Sequence, residues 1–244
     1  MAIRGRRRYH SPPRDMNRHE SSNLPGGSGD AARRGFSKLA PAIRRQQLID
    51  ATFRSLCLHG DAGTSVRAIA ALAGLSQGMV RHHFQTKGEL LAATTRHLSD
   101  RFYEAAEAAA AAAGPDPLAR LRAILLVGLR PPILDRDYVR ARYILWSLSQ
   151  SDAAMQAAHE ETYGRLRRRL EGLLGEIEAT HGGKVDPVET ARLLMALLKG
   201  AWVEWLVSPE GCDPERIVAG FLPMLEARMA APSLSAPRGR RSSG

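Results

Sequence analysis

The stretch Thr64 to Leu91, TSVRAIAALAGLSQGMVRHHFQTKGELL, decides the fold. Val66, Ile69, Ala70 and Ala73 fall at the i, i+3, i+4, i+7 spacing of one buried helix stripe, and Gly74 supplies a residue able to end that helix. Ser76 is placed to cap a second helix, with Leu75 before it and Val80 four positions after it forming a hydrophobic staple. Val80 and Phe84 then turn inward. Gln77, Gly78, Arg81 and His82 lie on the opposite face with no apolar neighbour to pack on. That face suits a major groove, where Gln pairs with adenine and Arg with guanine. Thr86-Lys87-Gly88-Glu89 reads as a capping box opening a further helix, so the second helix is predicted to be about two turns long. Two short helices across a Gly-containing turn make a helix-turn-helix.

The residues Thr64, Ile69-Ala70, Ala73-Gly74-Leu75-Ser76, Gly78, His83-Phe84 and Lys87 stand in the order of a known pattern. On them the stretch resembles the TetR family of transcriptional regulators. One position departs: Arg81 stands where the family usually has Tyr, so base preference there does not carry over. GMVRHHF, residues 78 to 84, is most similar to the betaine-inhibitor (BetI-like) regulators, which also lack the Tyr. The resemblance implies base contacts from Arg67, Gln77 and Arg81, and phosphate contacts from Thr64, His83, Lys87 and the amide groups at the start of the reading helix. Gly78, Met79 and His82 complete the expected DNA-binding set on that helix.

The net charge of +10 on 244 residues looks like a nucleic-acid signal, and its distribution sharpens it. Residues 1 to 40 hold nine Lys/Arg against three Asp/Glu, and residues 231 to 244 hold three Arg and no acid. Between the tails, residues 41 to 91 carry six basic and three acidic side chains, whereas 92 to 230 carry 17 and 19. The basic end of the body is therefore the end with the helix-turn-helix. Only Cys57 and Cys212 occur, so no disulfide framework or zinc site is expected. No stretch approaches the roughly 18 apolar residues of a membrane helix, and the Arg-rich start lacks an apolar h-region, so a cytoplasmic protein without membrane contact is expected.

Read in order, residues 1 to 40 are rich in Arg, Ser, Pro and Gly, and are expected to be a disordered basic tail, as are 231 to 244. Pro41 to His59 forms a first helix with Ile49, Thr52, Phe53, Leu56 and Cys57 on one face and Gly60 as its stop. Arg44 and Arg45 in its first turn are poorly placed for the helix dipole but well placed to meet a phosphate beside the groove. Residues 41 to 91 thus form the DNA-binding domain. A long helix runs from Lys87 through Leu98 and Phe102 to an alanine-rich end at Ala113-Gly114-Pro115. Asp116-Pro117, Asp186-Pro187 and Asp213-Pro214 mark three later helix starts, each an Asp N-cap followed by Pro at the first helical position. No β pattern competes, so the fold class is all-α, with 92 to 230 as a helical ligand-sensing and dimerisation domain.

The helix Val188 to Val207 is apolar almost all round, which predicts burial on every side, one of them by a second subunit. Pro223 is expected to kink the last helix. In the TetR family the last two helices pair with their copies, so the resemblance implies a homodimer reading an inverted-repeat operator in double-stranded DNA. It further implies a repressor released by a small-molecule effector. Tyr143, Trp146, Tyr163, Trp202, Trp205 and Glu204 are the candidate ligand-binding residues, because aromatic faces beside an acid hold quaternary ammonium compounds and BetI-like regulators respond to choline. The same rings also suit ordinary core and dimer packing. There is no Gly-rich phosphate loop, His-Glu-x-x-His, Cys-x-x-Cys or Gly-x-Ser-x-Gly, so neither catalysis, a metal nor a cofactor is expected. His159-Glu160-Glu161 reads as a solvated helix face. A regulator of an unrelated pathway with an apolar effector, and a helical scaffold or enzyme carrying an incidental helix-turn-helix, are the competing readings.

Overall fold

Short-range signals at the helix ends set the architecture. A computed structural model describes residues 29–181 and 185–230, which form nine helices and no strand: α1 (Gly29–Gly63), α2 (Val66–Ala73), α3 (Gln77–His83), α4 (Lys87–Ala112), α5 (Pro117–Val127), α6 (Arg136–Leu148), α7 (Ala153–His181), α8 (Pro187–Val207) and α9 (Pro214–Ala230). Ser65 and Ser76 cap α2 and α3, accepting from the amides of Ala68 and Met79 at 3.1 and 3.2 Å. Gly74 takes the left-handed conformation (φ 67°) that closes α2. At α4 the Thr86 hydroxyl accepts from the Glu89 amide at 3.0 Å, while the Glu89 carboxylate reaches back one residue beyond the usual box, to the Gln85 amide at 2.9 Å. The Asp116 and Asp186 carboxylates each accept from two amides in the first turn of their helices. Asp213 does the same at α9, accepting from the amides of Glu215 and Arg216.

One departure concerns the N-terminal end. Residues 29–40, whose composition predicts disorder, are helical. The remaining tail residues, 1–28 and 231–244, lie outside the described residues, as does the Gly182-Gly183-Lys184 part of the loop after α7. α9 holds Pro223 within its span.

Two apolar clusters form. The smaller joins Leu48, Ile49, Ile69, Val80, Phe84 and Leu90, welding α1 to the helix-turn-helix and to the start of α4. The larger gathers α4 to α9 and also takes in Leu56 of α1. Cys57 sits at that junction, its Sγ 3.6 Å from the Asp137 carbonyl at the start of α6. Burial pushes its thiol up to about 12, so it stays protonated and serves as packing. A second junction lies at Gly88, where a side chain would run into the Asp152 carboxylate, which caps the start of α7 by accepting from the Met155 amide. α8 is not enclosed within one chain. Its inner face (Leu194, Met195, Leu198, Ala201, Trp202) is buried, but Leu193 is 44% and Val207 74% exposed, and Met224 on α9 is 65% exposed.

Candidate functional site

The helix-turn-helix presents an unobstructed polar face. Arg67, Gln77, Gly78, Arg81 and His82 are exposed, and Met79 and His83 partly so, while Val80 and Phe84 anchor the helix from behind. Arg44 and Arg45 are exposed on α1, and the Arg45 guanidinium lies 4.8 Å from the Phe84 ring centre. His83 has its pKa lowered, by burial first and then by His82, Arg44 and Arg45, which places these groups in one positive neighbourhood. Lys87 is joined to Asp61 at 3.2 Å but remains about a third exposed, at 37% of its side-chain surface.

Thr64 is corrected. It is buried at 1%, its hydroxyl donating to the Gly60 carbonyl at 2.6 Å and accepting from Ser55 at 3.0 Å. It braces the α1–α2 connection and cannot reach a phosphate with its side chain.

Between α4, α6, α7 and α8 lies a cavity of about 50 Å³. Trp146, Tyr163 and Trp202 line it, as expected, together with Phe102 and Tyr103. The Trp146 and Trp202 rings stack at 6.0 Å, and Phe102 and Tyr138 each meet Trp202 edge-on at 6.1 Å. Tyr143, Trp205 and Glu204 do not line it. Tyr143 packs against Trp146 from outside and is 40% exposed. Glu204 follows Trp202 by two positions, which rotates it off the cavity face of α8, and Trp205, three positions on, falls one turn further along the helix, outside the lining. The acid expected beside the rings, Glu204, is therefore not at this cavity, and the carboxylate that does line it, Asp100, is paired with Arg165 at 2.9 Å.

Cations stand there instead. Lys199 Nζ lies 3.9 Å from the Tyr163 ring centre and 5.0 Å from that of Trp146. The Arg142 guanidinium lies 5.4 Å from Trp146 and 5.9 Å from Trp202, and donates to Ser99 Oγ at 2.6 Å. Burial, and then the Arg142 charge, lower the Lys199 pKa. His159 also lines the cavity, stacked on Tyr163 at 5.2 Å rather than lying on a solvated face, with its pKa lowered by burial and by Lys199 and Arg142. Sequence reasoning missed Arg142 and Lys199. The available signal was a lone lysine amid the apolar run of α8, three residues before Trp202, and an arginine one helical turn before Trp146. Among the described residues no cluster of three or more metal-binding side chains occurs, and no helix is long and apolar enough to cross a membrane.

Comparison with known proteins bears on both halves. Residues 48–94 match the model for bacterial regulatory proteins of the tetR family, and residues 117–229 match that for the C-terminal part of BetI-type transcriptional repressors. The HTH-type transcriptional regulator BetI of Burkholderia mallei is 34% identical over 175 residues, covering 70% of this chain and 86% of that protein. A protein from Pseudomonas aeruginosa PAO1 assigned as a transcriptional regulator superposes with a TM-score of 0.70 at 31% identity, covering 80% of this chain and 97% of its own. A regulator from Saccharomonospora viridis, crystallised in complex with choline, shares the fold with a TM-score of 0.65 at 20% identity, over 76% of this chain and 96% of its own.

Proposed function

The chain belongs to the TetR family of DNA-binding transcriptional regulators, in its BetI-type branch, and from that premise we propose that it is a homodimeric repressor, released from an inverted-repeat operator by a small molecule bound in the α4–α6–α7–α8 cavity. The observation that carries this reading is continuity. Only three residues separate the end of α3 from the start of α4, which supplies Ser99, Phe102 and Tyr103 to the cavity. A ligand that shifts α4 therefore shifts the reading helix. The Gly88 contact with Asp152 and the Cys57 contact with Asp137 tie the same head to the starts of α7 and α6, which also line the cavity. These contacts form the two-state element a switch requires, since the ligand and the DNA bias one set of packed helices.

Base contacts fall to Gln77 and Arg81, with Arg67 beside them. Arg44, Arg45, His83 and Lys87 hold phosphates, and Gly78, Met79 and His82 shape the approach. The open apolar residues Leu193, Val207 and Met224 on α8 and α9 form the dimer face, because apolar patches of that kind on a helical domain favour burial against a copy. Leu193→Arg is expected to turn the dimer into a monomer in sedimentation velocity and to weaken binding to a promoter fragment by an order of magnitude or more, with the helical circular dichroism kept. A dimer that survives Leu193→Arg with undiminished DNA affinity overturns this interface.

A quaternary ammonium effector, implied by the resemblance, would have to displace Lys199 from Tyr163 and Arg142 from Trp146 to reach the same ring faces.

A further inference from the structure

The cavity contains a charge imbalance that its own residues do not resolve. Its one lining carboxylate, Asp100, is engaged by Arg165 at 2.9 Å, and that guanidinium also covers Tyr103. Among the described residues, Lys199 and Arg142 have no carboxylate partner. Among the same residues, Arg142 Nε is buried with no hydrogen-bond partner. A ring face partly compensates a cation. It cannot accept the directed N–H bonds of an ammonium, which has three donors, or of a guanidinium, which has five. Two like charges that share Trp146 at 5.0 and 5.4 Å, in a site walled by aromatic rings, therefore lack a neutralising anion, and the Arg142 Nε–H, unlike the donor bonded to Ser99, is unmatched.

We propose that this cavity binds a small organic anion, a carboxylate on a compact apolar body, with the carboxylate held by Arg142 and Lys199 and the body against Trp146, Tyr163 and Trp202. The lowered pKa of Lys199 has the same origin, since an unneutralised neighbour and burial both disfavour its charge. An anion offsets both penalties through its charge, and an arginine side matches a carboxylate's two oxygens. The ligand class follows from this: a quaternary ammonium would add a third positive charge to the same space. Lys199 is a flexible point charge over the rings, so its movement toward the carboxylate opens the space that the apolar body fills.

The inference rests on the cavity being the effector site, and the test separates the two. Trp146 and Trp202 are two of the three tryptophans, so their fluorescence reports binding without DNA. The full chain is titrated at constant ionic strength with isovalerate and benzoate, with their neutral amides, and with choline chloride. At least one carboxylate is expected to give a saturable change below roughly 10 mM, with its amide at least about tenfold weaker. Lys199→Met and Arg142→Met should each weaken that carboxylate about tenfold or more, whereas Lys199→Arg retains it; equal melting curves for the Met variants exclude misfolding. Saturable choline binding without carboxylate binding, equal binding of acid and amide, or no response to either carboxylate overturns the proposal. A carboxylate that binds but leaves a promoter complex intact upholds the anion site and refutes the release mechanism instead.

Discussion

Replacing Trp202 with alanine is expected to cost about 3–5 kcal/mol of folding stability, the largest effect of any single substitution in the sensor half. The indole is 2% exposed and is the hub of the aromatic cluster, stacked on Trp146 and met edge-on by Phe102 and Tyr138. Its Nε1 donates to the Gly128 carbonyl at 2.6 Å, fastening α8 to the end of α5. Truncation leaves a cavity and an unpaired buried carbonyl, two penalties that add. At fixed protein concentration the melting temperature should fall by roughly 10 °C or more. Trp205→Ala is the internal comparison, since that ring is only partly buried and is expected to cost clearly less. Equal melting of the two variants would show that α8 is rotated relative to this description.

Arg81→Ala is expected to change which operator is preferred rather than how tightly DNA in general is held. An arginine bidentate to a guanine is worth about 1–3 kcal/mol against the wrong base, and a twofold dimer spends that at two symmetric positions. Selection from a randomised library should therefore lose information at one symmetric pair of positions and keep the rest. Lys87→Ala should instead weaken all sequences alike and reduce the salt slope by about 1. Because Lys87 also pairs with Asp61 at 3.2 Å, Asp61→Asn serves as control; an exposed pair of this kind contributes only about 0–1 kcal/mol. If Arg81→Ala and Lys87→Ala lose affinity uniformly and equally, the division between base and phosphate contacts is wrong.

The helix-turn-helix was readable because its instructions are local. Ser65 and Ser76 cap within three residues, Gly74 takes its left-handed turn in place, and the Asp-Pro pairs start their helices without help from distant parts of the chain. Where tertiary contacts decide, the sequence misleads. Thr64 matches a DNA-facing position in order, yet its hydroxyl is taken by Gly60 and Ser55, because the α1–α2 connection folds back on itself. Trp202, Glu204 and Trp205 stand within four residues, but only the packing of α8 against α4 and α6 tells which of them faces the cavity. The ligand class turns on the same point. Aromatic residues in the helices suggested a cage for a cation, and the chain's own Lys199 and Arg142 cover those faces.

The most direct test of a two-headed operator reader is a footprint of the full chain on the DNA flanking its own gene, in the presence of excess non-specific DNA. The account predicts one protected stretch containing an inverted repeat, with half-sites about one turn, ~34 Å, or a small multiple apart, and an even number of chains bound per site. Protection without twofold symmetry, or an odd number of chains at saturation, would contradict it.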